Sequence, residues 1–121
     1  MTHPKPAVTL QELTEIILLF RDARDWKQFH KPKDMALSLM LESAEVGELF
    51  QWKGDAEIEA KLPTMGEELG RELSDVLYWV LLMAHDSGIN LGEAFERKMS
   101  ENEKKYPAEL SKGSARKYSE L

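Results

Sequence analysis

The sequence contains no cysteine, which excludes disulfide staples and thiolate metal sites. It has no long apolar run either. The longest, residues 76–84, is about half of the ~20 residues that a membrane span requires. Residues 1–9 are short and proline-bearing, without the apolar core of a signal peptide, so a cytoplasmic protein with no membrane partner is expected. Basic residues are in deficit, with 16 Lys and Arg against 22 Asp and Glu for a net charge of −6. That balance argues against a nucleic-acid polymer as partner, because such binding rests on lysine and arginine meeting phosphate. An acidic chain that binds a polyphosphate needs its repulsion cancelled, and a divalent cation is the obvious agent.

What is present suits one compact domain. The chain has 121 residues, 42% hydrophobic and 31% charged, enough to bury a core without staples. Residues 1–121 read as a single domain with flexible ends at about 1–8 and 111–121. Internal repeats and low-complexity tracts are missing, and so is the strict alternation of a half-buried strand.

Four helices are predicted. The first begins at Thr9, with Glu12 completing a capping box, carries Leu13, Ile16, Ile17 and Phe20 at helical spacing, and fades near Trp26. Residues 28–33, with Pro32, read as a connection. Asp34 caps a second helix running to about Trp52. Residues 55–63 form a polar excursion closed by Pro63. Thr64 with Glu67 forms another capping box, opening a helix through His85 that stops before Gly88. Asn90 with Glu93 opens the last helix, which ends by Tyr106-Pro107. Four helices with short links give an all-α four-helix bundle.

Carboxylates stand where a core is expected. At about 100° per residue, Met35, Leu39, Val46, Leu49 and Phe50 form one stripe of the second helix, and Glu42 falls inside it. Glu45 and Glu48 follow at successive i+3 steps. Leu37 and Leu41 occupy the far side, so the glutamates are not simply a wet face. In the third predicted helix Glu72 and Asp75 are again i and i+3, flanked by Trp79, Leu82 and Met83, with Glu68 one turn earlier. Acidic i,i+3 pairs are common on solvated faces. Two pairs embedded in apolar stripes are harder to dismiss, since burying ionised carboxylates together is costly without a cation. Oxygen-only donors favour Mg²⁺ or Mn²⁺ over zinc or iron. Neither His30 nor His85 has the glutamate three residues before it that a di-iron bundle uses.

The run Glu42-Ser43-Ala44-Glu45-Val46-Gly47-Glu48-Leu49-Phe50-Gln51-Trp52-Lys53, with Glu72-Leu73-Ser74-Asp75-Val76-Leu77, resembles the MazG-like nucleotide pyrophosphohydrolases. It looks closest to their dCTP pyrophosphatase branch. Arg24-Asp25-Trp26-Lys27-Gln28-Phe29-His30, the residues Asn102 and Lys104-Lys105-Tyr106-Pro107, and the ending Arg116-Lys117-Tyr118-Ser119-Glu120-Leu121 extend the likeness over residues 9–121. The resemblance implies Mg²⁺-dependent hydrolysis of a nucleoside triphosphate to monophosphate and pyrophosphate, in nucleotide-pool housekeeping. It implies metal ligands at Glu42, Glu45, Glu72 and Asp75. It also implies a homo-oligomer, dimer or tetramer, with sites near subunit interfaces. The chain departs from its relatives in having Trp79 where they carry tyrosine. Its own Tyr78 lies one position earlier, toward the opposite face, which leaves dCTP, modified cytidines, dTTP and dUTP open as substrates.

Under this reading Glu45 or Glu48 positions or deprotonates the attacking water. Trp26, Trp52 and Trp79 are candidates to stack on the base, although a single tryptophan is more often a core or interface residue. His30 is a loop residue able to hydrogen-bond the base or ribose, whereas His85 faces away from the acids. Lys98, Asn102 and Lys105 share a helix face and are candidates for phosphate and ribose contact. The competing class is a non-enzymatic helical interaction module whose acidic faces meet basic partners.

Overall fold

The computed structural model describes residues 6–121; residues 1–5 of the expected flexible N-terminal end lie outside the described residues. Among those described there are six α-helices and no strand: α1 (Leu10–Ala23), α2 (Pro32–Glu48), α3 (Asp55–Lys61), α4 (Gly66–Asp86), α5 (Leu91–Lys105) and α6 (Ala108–Ser111). The four predicted helices correspond to α1, α2, α4 and α5, so the count of four is corrected to six. The polar excursion at 55–63 is the first source of the error. Its residues Ala56, Glu57, Ile58, Glu59, Ala60 and Lys61 are good helix formers, and Glu57 and Lys61 pair across one turn at 3.0 Å. None of the helices is long and apolar enough to cross a membrane.

Helix ends follow local chemistry, with three corrections. The box at Thr9 forms as expected: its Oγ1 accepts from the Glu12 N–H at 3.1 Å while Glu12 accepts from the Thr9 N–H. Asn90 Oδ1 likewise accepts from the Glu93 N–H at 3.1 Å. Asp34, however, does not cap α2. Pro32 occupies the first turn, where its missing N–H costs nothing, and Asp34 sits inside that turn, where its charge suits the helix dipole. This helix ends at Glu48, short of Trp52. Thr64 does not cap α4 either. It belongs to a 3-10 turn, Leu62–Thr64, and its hydroxyl donates back to the Lys61 carbonyl at 2.8 Å. A residue already in a helical turn lacks the extended backbone that a cap needs.

The chain divides into two compact units, Met1–Gly88 and Ile89–Leu121. In the first, α4 is central and packs against both α2 and α1. Pro32 and Met35 share a cavity with His85 and Asp86, while Glu42 and Glu45 meet Glu72 and Asp75; α2 therefore runs antiparallel to α4. On α1, Leu13 and Ile17 share a groove with Ser74 and Leu81, and Arg21 reaches Asp86, so α1 runs parallel to α4. The best-buried side chains of this unit are Leu82, which is fully buried, and Met35, Leu81, Met65 and Ile17 close behind. The buried stripe of α1 is Thr14, Ile17 and Arg21, whereas Ile16 and Phe20, part of the same helical spacing, are exposed. In the second unit, Tyr118 of the chain's end lies edge-on to Tyr106 at 6.0 Å, with Lys105 Nζ 5.2 Å from its ring.

Candidate metal and nucleotide site

Antiparallel packing of α2 on α4 turns two local patterns into one site. On each helix the i,i+3 step puts its two acids on one face, and the packing sets those faces against each other. Carboxylate oxygens of Glu42, Glu45, Glu72 and Asp75 lie within 4.8 Å of one another. Glu42 and Glu72 are half-buried; Glu45 and Asp75 are exposed. The serines between the acids are satisfied on their own helices, Ser43 by the Leu39 carbonyl at 2.8 Å and Ser74 by the Gly70 carbonyl at 2.7 Å.

The electrostatics are those of a site short of positive charge. Burial raises the Glu42 carboxyl above its ordinary value, helped by a hydrogen bond to Glu45 and by the charges of Glu45, Asp75 and Glu72. Burial also raises Glu72, with the hydrogen bond to Glu45 and the charges of Glu45 and Asp75 added, while Arg71 pulls the other way. The Oε2 atoms of both Glu42 and Glu72 are buried without a hydrogen-bond partner. A buried acceptor without a donor needs some other partner. Opposed ligands of an octahedral Mg²⁺ stand about 4.2 Å apart, so four hard oxygens within 4.8 Å fit such an ion.

Glu48 is one turn beyond Glu45, exposed, and not among the four; Glu68 is likewise exposed and outside them. Trp79 stands one turn after Asp75, and His30 lies edge-on to it with ring centroids 5.2 Å apart. The His30 pKa is lowered, by burial first and by the Arg21 charge second, with Asp86 opposing. Both effects favour the neutral ring, and its Nδ1 is buried without a partner. Tyr78 is not opposite Trp79 but edge-on to it at 5.0 Å, because successive helical residues differ by only ~100°. Trp26 packs on Phe20 at 5.6 Å. Trp52, in the turn after α2, is 88% exposed. His85 is exposed and lines the same cavity as His30.

Lys98, Asn102 and Lys105 belong to α5 in the second unit. Lys98 is 3.6 Å from Glu101, and Asn102 contacts the Met99 sulfur at 3.8 Å. Sequence reasoning overlooked Arg21 and Asp86, an ion pair between α1 and α4 in which the arginine is buried and the aspartate side chain is 17% exposed. The available signal was position: Arg21 follows Thr14 and Ile17 by seven and four residues, on the buried stripe of α1.

Residues 37–121 match the MazG-like family. The chain belongs to the MazG-like family. It is 42% identical to dCTP pyrophosphatase 1 of Rattus norvegicus over 118 residues, spanning 96% of this chain and 69% of the relative. The Homo sapiens dCTP pyrophosphatase 1 is 40% identical over the same shares of each chain. Among solved structures, a pyrophosphatase from Archaeoglobus fulgidus superposes with a TM-score of 0.77 at 37% identity, over 88% of this chain and 99% of that one. The family match takes in most of α2 and all of α4 and α5, hence both acidic pairs, and reaches into both compact units.

Proposed function

We propose that this chain is a Mg²⁺- or Mn²⁺-dependent nucleoside triphosphate pyrophosphohydrolase. It cuts its substrate between the α and β phosphates, with dCTP or a related pyrimidine nucleotide as the preferred substrate. The observation that carries the proposal is the convergence of Glu42, Glu45, Glu72 and Asp75, with two buried oxygens lacking any partner. An interaction module would spread its acids over a surface; here they crowd one point. The pyrophosphatases among the relatives support the reaction class.

A divalent cation held there would neutralise phosphate charge, align the chain of phosphates and acidify a water. Glu42, Glu45, Glu72 and Asp75 supply its oxygen donors. Of the two catalytic candidates, Glu45 is in the cluster, and Glu48 stands one turn along α2 beside it. Either accepts the proton of the attacking water as its oxygen bonds to the α-phosphorus and the bridging P–O bond breaks to release pyrophosphate. Trp26, Trp52, Trp79 and His30 are the proposed nucleoside contacts, and Lys98, Asn102 and Lys105 the proposed phosphate and ribose contacts. Residues 1–121 act as one family domain in this reading. Exposed Ile16 and Leu19 on α1 and Leu37, Met40 and Leu41 on α2 support a homo-oligomer, dimer or tetramer.

Turnover of dCTP in ¹⁸O-labelled water tests the bond. Label should enter the monophosphate and none the pyrophosphate. Label in pyrophosphate, or release of orthophosphate with a diphosphate, would refute the assignment.

A further inference from the structure

The connection between α1 and α2, residues 24–31, carries two of the proposed nucleoside contacts, Trp26 and His30. Three separate features hold it. Its backbone turns back on α1: Asp25 adopts a left-handed φ of 53°, and the Trp26 N–H donates to the Arg21 carbonyl at 3.1 Å. Its rings join a continuous edge-to-face series that crosses onto α4. The series runs Trp26–Phe20 at 5.6 Å, Phe20–Tyr78 at 6.3 Å, Tyr78–Trp79 at 5.0 Å and Trp79–His30 at 5.2 Å. Such geometry favours ring edges meeting ring faces and so fixes relative orientation.

The third feature is the Arg21 guanidinium, 2% exposed. It donates to both Asp86 oxygens, at 2.7 and 3.1 Å. Paired, bidentate donation is directional as well as strong. Asp86 in turn lines, with His30, Lys27, Pro32 and Met35, a cavity of about 390 Å³. Arg21 therefore holds the connection directly through its carbonyl, to Trp26, while its side chain fixes Asp86, which lines the same cavity as His30. Asp86 lies eleven residues beyond Asp75 on α4, about 16 Å along the helix, so the pair stands well away from the carboxylate cluster.

We propose that Arg21 and Asp86 form a positioning pair that sets the placement of Trp26 and His30. The pair thereby governs affinity for the nucleoside end of the substrate without touching the phosphate chain. The inference rests on the nucleotide function proposed above. A buried ion pair that only held α1 against α4 would be replaceable by apolar residues at little functional cost; a positioning pair would not.

The test uses the full chain, with Asp86→Asn and the double substitution Arg21→Met with Asp86→Leu, which leaves no buried charge unpaired. KM and kcat for dCTP are compared with the Mg²⁺ activation constant and with inhibition by inorganic tripolyphosphate, a phosphate chain with no base. KM should rise about tenfold or more with kcat within about twofold, the pattern of lost substrate binding. The Mg²⁺ and tripolyphosphate constants should stay within about twofold of wild type. If the double variant does not fold, Asp86→Asn, which keeps an acceptor for Arg21, must show the same split. An unchanged KM, or equal weakening of dCTP and tripolyphosphate, would overturn the proposal. Placement is also read without turnover, by ¹⁹F NMR of protein labelled with fluorotryptophan. The Trp26 and Trp79 signals should move in Asp86→Asn while that of Trp52 stays, and unmoved signals would count equally against it. Should wild type cleave no nucleotide while those signals move, the functional reading fails and the positioning role stands.

Discussion

Leu82→Ala removes the one fully buried leucine of α4, the helix that packs against both α2 and α1. The loss combines the transfer energy of the deleted atoms with the cavity left behind, about 2–5 kcal/mol for a leucine at such a site. A domain of this length has a total stability of roughly 6–18 kcal/mol. The substitution should therefore lower Tm by on the order of 10–20 °C, measured by circular dichroism at 222 nm in EDTA. Leu41→Ala is the matched control on α2, where the side chain is 62% exposed. In an isolated chain that change should cost within about 0.5 kcal/mol. If a second copy covers this face, the cost rises and becomes dependent on protein concentration. A loss below about 1 kcal/mol for Leu82→Ala would refute the packing argument. So would equal, concentration-independent losses for the two variants.

Four further outcomes are expected. Glu42→Gln or Asp75→Asn should cut turnover at least about 100-fold at fixed Mg²⁺, with the circular dichroism spectrum unchanged; a lost helical signal would assign the residue a structural role instead. Glu42 and Glu72 have carboxyls raised above the usual 4.5 in the folded state, so their contribution to metal-free stability is complete below that value and is lost as pH rises through the raised ones. In EDTA, then, wild type should gain stability relative to a Glu42→Gln, Glu72→Gln variant as pH falls toward about 5, and parallel pH profiles would contradict the shift. Trp52→Ala should leave Tm unchanged, the side chain being 88% exposed, while raising the KM for nucleotide; a KM equal to wild type would remove Trp52 from the site. Sedimentation should give a dimer or tetramer mass at micromolar concentration, and a value near 13.9 kDa would contradict the oligomer.

Composition, periodicity and capping motifs encode much of this protein locally. The all-helical class, the four long helices, the Thr9 and Asn90 caps and the two acidic i,i+3 pairs are local properties. Each depends on residues within about one turn of one another. α3 was missed because a charged seven-residue helix has no apolar stripe to announce it. The Thr64 cap failed because Pro63 belongs to a preceding turn that a motif match does not weigh.

Long-range contact decided the rest. That Glu42 and Glu45 face Glu72 and Asp75 follows from α2 lying antiparallel on α4, residues about thirty apart in sequence whose approach no local pattern encodes. The partner of Arg21 is 65 residues away. A buried arginine and an aspartate at a helix end each look ordinary in sequence; only packing joins them. Sequence determined which side chains each helix presents on a face, because one turn fixes that. Tertiary structure decided which faces meet, because this depends on the whole surface each helix must bury.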